Sequence, residues 1–208
     1  MLRYDDHPLL LPAALRAAFS APLHALATPP EVVQLLGARP GGPLPEPDER
    51  LRGAVRDLLR SGGYKPTGRG KPSSEYLARA ASEGQLGSIN LAVDVGNAVS
   101  LRSGLPISVV DLAKAAPPLH IGLAGPGGYV FNASGQELRH DGLLCLHDLH
   151  GPCANAVKDA QRTKTDGSTR ETLTVFWAPR GAEEVLRRAL EWAAALLAGA
   201  GAEVERVA

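Results

Sequence analysis

Residues 88–111 read SINLAVDVGNAVSLRSGLPISVVD, and the rest of the chain is organised around them. The run predicts a helix over Asn90–Arg102, a stop at Ser103-Gly104, and a turn through Pro106 into an extended Ile107–Asp111. Spacings of four and three residues put Asn90, Asp94 and Asn97 on one face of that helix. Leu91, Ala92, Val93, Val95, Gly96, Ala98 and Val99 make the remainder apolar or small. A helix apolar nearly all round is buried, so its polar stripe needs internal partners or a ligand.

Downstream of this stretch the pattern becomes β-prone. Leu119–Ala124, Tyr129–Ala133, Leu143–His147 and Leu173–Ala178 read as short strands, separated by turn signals at 125–128, 134–135 and 141–142. Residues 181–198 read as an alanine-rich helix and 202–207 as a closing strand. Upstream, Pro12–Phe19 and Pro30–Leu36 read as short helices opened by proline. Glu49–Arg60 reads as an amphipathic helix ending at Ser61-Gly62-Gly63. Helices before and after a strand-rich middle imply an α+β fold with a mixed or mainly antiparallel sheet. Residues 1–62 form a helical N-terminal segment packed on the core, and 63–208 form the main domain.

The 208 residues suffice for one substantial core. Lys and Arg number 22, as do Asp and Glu, so no global field favours a polyanion. Cys145 and Cys153 show no metal-ligand or CxxC spacing and read as free thiols of a reducing compartment. His147, Asp148, His150 and Cys153 lack the pattern of a built metal site. Neither a leader peptide nor a membrane span is legible, which places the protein in the cytoplasm. GxSxG, HExxH, GxGxxG and phosphate-loop signatures are absent, so no metal or cofactor is expected.

Two local features suggest binding. Around the loop 64–72, Arg52, Arg56, Arg60, Lys65, Arg69, Lys71 and Arg79 face only Asp57 and Glu75, an asymmetry suited to phosphates. Ser73 is the expected N-cap of the following helix, SSEYLARAAS. The polar segment 152–165, with Asn155, Lys158, Asp159, Thr163, Lys164 and Thr165, leads into the strand at 173 and reads as a loop at the mouth of a sheet.

The runs PSSEYLARA, SINLAVDVGNAVSLRSGLPISVVD and CANAVKDAQRTKTDGSTRETLTVFW, within residues 64–179, together resemble the tRNA-editing domain of the phenylalanyl-tRNA synthetase beta subunit. The resemblance is closer to that domain's freestanding relatives. It implies an editing-domain fold over 63–208 and hydrolysis, in trans, of the ester joining a wrong amino acid to a tRNA. Removal of canavanine from tRNA for arginine is one activity among such relatives. By resemblance Asn90, Asp94 and Asn97 are the catalytic stripe, while Thr169 and Arg170 precede the last strand. Glu137 corresponds to a pocket glutamate. Ser108 stands where synthetase domains carry a histidine, which implies an altered pocket. The expected substrate contacts are Ser108, Glu137, Asn155, Lys158, Asp159, Thr163, Lys164, Thr165 and Thr169, with Lys65, Arg69 and Lys71 on the tRNA. The alternative is a non-catalytic module that binds a free amino acid or a tRNA end.

Overall fold

The computed structural model describes residues 2–37 and 41–207. At its centre is the expected helix, α4 (Leu91–Ser103), which buries Leu91, Ala92, Val95, Ala98 and Val99. Asn90 caps it, its side-chain oxygen accepting from the Val93 amide at 3.1 Å. Gly104 ends it in the left-handed region at φ 75°. An alanine Cβ at Gly104 would fall 2.6 Å from Cβ of Pro47. Gly104→Ala is therefore expected to cost about 1–3 kcal/mol, read as a lower urea midpoint at unchanged slope.

Strand β3 (Ile107–Asp111) follows as expected. At Gly96 a Cβ would lie 2.8 Å from Val109 Cγ2, so the missing side chain lets α4 lie close against β3. The other helices are α1 (Pro30–Leu35), α2 (Glu49–Arg60), α3 (Ser73–Ser82) and α5 (Glu183–Gly199). Asp48 caps α2 through the Leu51 amide at 2.8 Å. Ser73 is not the cap of α3. Pro72 occupies that position, and Ser73 is the first helical residue, its amide donating to Ala156 O at 2.8 Å. This bond ties α3 to the 152–165 segment.

Among the described residues ten strands complete the fold. They are β1 (Leu2–Tyr4), β2 (Leu10–Ala18), β3, β4 (Leu119–Leu123), β5 (Gly128–Val130), β6 (Glu137–Arg139), β7 (Leu144–Asp148), β8 (Gly151–Asn155), β9 (Glu171–Pro179) and β10 (Glu203–Arg206). Two four-stranded sheets run β1-β4-β7-β8 and β10-β2-β9-β3, and β5-β6 stand as a separate hairpin. Among the described residues only the β1–β4 pair is parallel. The fold is α+β with antiparallel-dominated sheets, as the order of elements implied.

The helix expected over Pro12–Phe19 is instead strand β2, so the helical reading of residues 1–62 holds for α1 and α2 but not here. Its alanines and leucines favour a helix in isolation, but pairing with β9 along its whole length overrides that preference. Pro12 is tolerated because β10 pairs only with residues 15–18 of β2, leaving Pro12 on a stretch with one neighbouring strand. The segment 152–165 is likewise not all loop. Its first residues form β8, which closes a hairpin with β7.

Candidate functional site

The segment 155–165 runs from the end of β8 through a short helical turn (Gln161–Thr163) and carries most of the expected substrate contacts. Its first bend is held by Asn155, whose side-chain oxygen accepts from the amides of Val157 at 2.8 Å and Lys158 at 3.1 Å. The Asn155 amide nitrogen donates to the Tyr129 hydroxyl at 2.6 Å, and that hydroxyl donates to Lys158 O at 2.6 Å. Every polar atom of Asn155 thus serves the shape of the loop, which points the next two side chains.

One of these is Asp159. The Ser108 hydroxyl, fully buried on β3, donates to Asp159 Oδ1 at 2.6 Å, and the Asn155 amide reaches the same oxygen at 3.3 Å. The Trp177 indole N–H, on β9, donates to Ser108 Oγ at 2.9 Å. Indole nitrogen only donates, so the single hydroxyl proton of Ser108 goes to an acceptor, Asp159 Oδ1 at 2.6 Å being nearer than Asn155 O at 3.2 Å. Burial pushes this carboxyl up to about 6, against the opposing pull of Ser108 and the Lys164 ammonium. A carboxylate poised near neutrality is suited to moving protons.

The other is Lys158. Its ammonium lies 4.0 Å from the centre of the Phe131 ring and 5.6 Å from that of Tyr76. It faces a cleft of about 520 Å³ that is also lined by Tyr64, Lys65, Arg69, Phe131, Glu137 and Arg139. Burial, then the charges of Arg69 and Lys164, lower the Lys158 ammonium below its ordinary value. Lys164 donates to Phe131 O at 2.6 Å, and burial lowers its ammonium too.

The basic asymmetry around residue 64 is narrower than the sequence suggests. Arg56 forms a two-pronged pair with Glu75 at 2.7 Å, joining α2 to α3. Arg52 is paired with Glu49, Arg60 with Asp57 and Arg79 with Glu83. Among the described residues Lys65, Arg69 and Lys71 make no ion pair, and these are the three expected to meet tRNA. Lys65 and Arg69 line the cleft, whereas Lys71 is exposed outside its lining.

Of the α4 stripe, Asn90 alone lines a second cleft, of about 460 Å³, together with Thr28, Ser88, Ile89, Thr165 and Asp166 among others; Asp94 and Asn97 are outside its lining. Asn90 Nδ2 donates to Thr165 Oγ1 at 3.1 Å. Asp94 is fully buried and accepts from Thr28 at 2.6 Å, Ser88 at 2.5 Å and the Ile89 amide at 2.7 Å. Its oxygens are occupied in fixing the approach to the helix. Asn97 is half-buried and makes no side-chain hydrogen bond among the described residues.

The two remaining threonines face inward. Thr163 bonds Cys153 O at 3.1 Å, and Thr169 donates to Asp111 Oδ2 at 2.7 Å. Trp177, Tyr129 and Phe131 were not singled out by the sequence. The one signal for Trp177 was an indole N–H in a strand destined for the core, which must find an acceptor.

Two other features have structural uses. Asp148 is bound by Arg162 at 2.5 and 2.8 Å and by the His150 amide at 2.8 Å, all in support of the β7–β8 hairpin. Among the described residues no group of three His, Cys, Asp or Glu is placed to hold a metal. Cys145 and Cys153 are free and buried, and burial pushes both thiols up to about 12, so they stay protonated and unreactive. No helix among the described residues is long and apolar enough to cross a membrane.

These features define an α+β domain with a basic, aromatic cleft beside a buried carboxylate. The chain belongs to the B3/4 domain family, whose model matches residues 65–181. Over 112 residues, 52% of the chain, it is 29% identical to the phenylalanine–tRNA ligase beta subunit of Pasteurella multocida (strain Pm70). The match spans only 14% of that subunit's length. Among solved structures it is similar to an N-terminal fragment of the phenylalanyl-tRNA synthetase beta-subunit from Pyrococcus horikoshii, with a TM-score of 0.47 and 13% identity. That likeness covers 82% of this chain and 55% of the fragment. The expected relationship to the synthetase beta subunit therefore holds at the level of the domain.

Proposed function

We propose that this domain hydrolyses the ester of a mischarged aminoacyl-tRNA in trans. The observation that carries the reading is the segment 155–165, which serves both clefts. Lys158 faces the basic cleft, Asp159 meets Ser108, Lys164 reaches Phe131, and Thr165 reaches Asn90. The phosphate-bearing end of the tRNA lies against Lys65, Arg69 and Lys158. The aminoacyl group extends along Lys164 and Thr165 toward Asn90, with Asn97 further along the same helical face.

Asp159 takes a proton from the attacking water, whose oxygen adds to the ester carbonyl carbon. The bond to the ribose oxygen then breaks, and the proton returns to that oxygen, leaving a free amino acid and an intact tRNA. Lys164 holds Asp159 ionised. Asp94, Thr163 and Thr169 act by positioning, and Glu137 faces the same cleft as Lys158. An aminoacyl ester is already activated, so orientation and electrostatics supply most of what its hydrolysis needs. Ser108 is fully buried and lines neither cleft, so it acts on the substrate only through Asp159; canavanine on tRNA for arginine is one pairing that the family resemblance implies.

A panel of correctly and wrongly charged tRNAs tests the reading. Loss of the amino acid from one mischarged pair, with its correct counterpart spared, is the expected result. Tight binding of tRNA without turnover would instead make the domain a binding module, a reading favoured by the complete burial of Ser108. Joint replacement of Lys65 and Lys71 by alanine is expected to flatten the slope of log affinity against log salt by about 1 per lysine. An unchanged slope would move the tRNA surface elsewhere.

A further inference from the structure

We propose that the cleft at Phe131 and Lys158 is a mononucleotide subsite, which takes one unpaired nucleotide with its base on an aromatic ring and its phosphate among Lys158, Lys65 and Arg69. Lys158 carries the inference. Its ammonium is held by two ring faces, 4.0 Å from Phe131 and 5.6 Å from Tyr76, and by no carboxylate among the described residues. A cation on a ring face is a modest contact in an open cleft, and a phosphate is a stronger partner for an ammonium. A nucleotide satisfies both groups together: the base takes the ring face and the phosphate takes the ammonium.

The surroundings fit that ligand. The cleft holds about 520 Å³, within the range of small-molecule sites. Arg139 on its wall is engaged by Asp141 at 2.9 and 3.0 Å, whereas Lys65 and Arg69 make no ion pair among the described residues. Glu137 is the one acid in the lining, so the free charge is positive. A base paired and stacked within a duplex cannot present its face to a ring inside a cleft, whereas an unpaired end can. The subsite deepens the deacylase reading and rests on it for the identity of the strand that enters.

Titration of the full chain with inorganic phosphate, adenosine and 5′-AMP, followed by amide chemical shifts at low salt, tests the subsite. 5′-AMP is expected to bind about tenfold or more tighter than either of the other two, the size of a base–aromatic stack. Phe131→Leu should bring 5′-AMP down to the affinity of phosphate, and Lys158→Met should weaken both. Equal affinities for 5′-AMP and phosphate would overturn the proposal. So would 5′-AMP binding unaltered in Lys158→Met, which stands even if Phe131→Leu fails to fold. A chain that binds 5′-AMP as described but leaves every charged tRNA intact keeps the subsite and loses the hydrolase. One that clears mischarged tRNA and fails the 5′-AMP tests loses the subsite alone.

Discussion

Asp159→Asn is expected to reduce turnover of a mischarged tRNA by about 10²–10⁴-fold, the usual worth of a positioned general base. The wild-type rate should rise with pH through about 6, where the buried carboxyl releases its proton, and then level off. The variant should lose that rise. Trp177→Phe keeps an aromatic ring at this buried position but removes the N–H that bonds Ser108, so it should shift the midpoint without abolishing turnover. A flat wild-type profile between pH 5 and 7, or an Asp159→Asn variant with full activity, would remove Asp159 from the chemistry.

The same group leaves a signature in stability that needs no substrate. In the fold Asp159 holds its proton up to about 6, whereas its ordinary value is 3.8. Between those values the folded state binds the extra proton, so stability falls as pH rises across the window. The contribution is complete below 3.8 and lost above 6, and the two-unit gap corresponds to about 3 kcal/mol. Urea unfolding of wild type and Asp159→Asn from pH 4 to 8 isolates this term, because the other carboxylates cancel in the difference. The variant should gain relative to wild type as pH rises.

Arg162→Met is expected to destabilise the fold by about 3 kcal/mol, the low end for breaking a buried pair. Asp148 has a fully buried side chain, while the guanidinium retains 36% exposure, and this places the estimate low. Burial works against the Asp148 carboxylate, but the hydrogen bonds from Arg162 and the His150 amide prevail and hold it below its ordinary value. That stabilisation is present above the ordinary value and is lost as pH falls through the folded one. The gap between wild type and Arg162→Met should therefore narrow in acid. Adding Asp148→Asn to Arg162→Met should recover part of the loss, since the orphaned charge is gone. A chemical-denaturation series at pH 7 and at about pH 2.5, below the ordinary carboxylate value, reads all three variants. Equal midpoints for wild type and Arg162→Met at pH 7 would show the pair to be dispensable.

The core helix and its limits were legible in the sequence because they depend on local chemistry. An apolar run, a capping asparagine at 90 and a glycine at 104 specify start, burial and stop within one segment. The same holds for α2 and for most of the later strands. Strand β2 was illegible for the opposite reason: LLPAALRAA has helical composition, and only β9 and β10 alongside it make it a strand. The cations expected to meet tRNA divide in the same way. Lys65, Arg69 and Lys71 stood in a visibly basic loop; of the other four cations, Arg52, Arg60 and Arg79 pair with acids three or four residues away, and only the pairing of Arg56 with Glu75 needed a second helix.

By itself the sequence determined the α+β class, the buried helix with its polar stripe, and the domain relationship carried by three separated motifs. Tertiary structure decided what that stripe and its neighbours do. Asp94 is closed off by Thr28, Ser88 and Ile89, while Asp159 is raised toward neutrality by burial, against the opposing hydrogen bond from Ser108. Two aspartates with the same intrinsic chemistry thus receive different tasks. The reason is that hydrogen-bond saturation and desolvation depend on groups distant in the chain, Trp177 lying 69 residues from Ser108, and no local pattern encodes them.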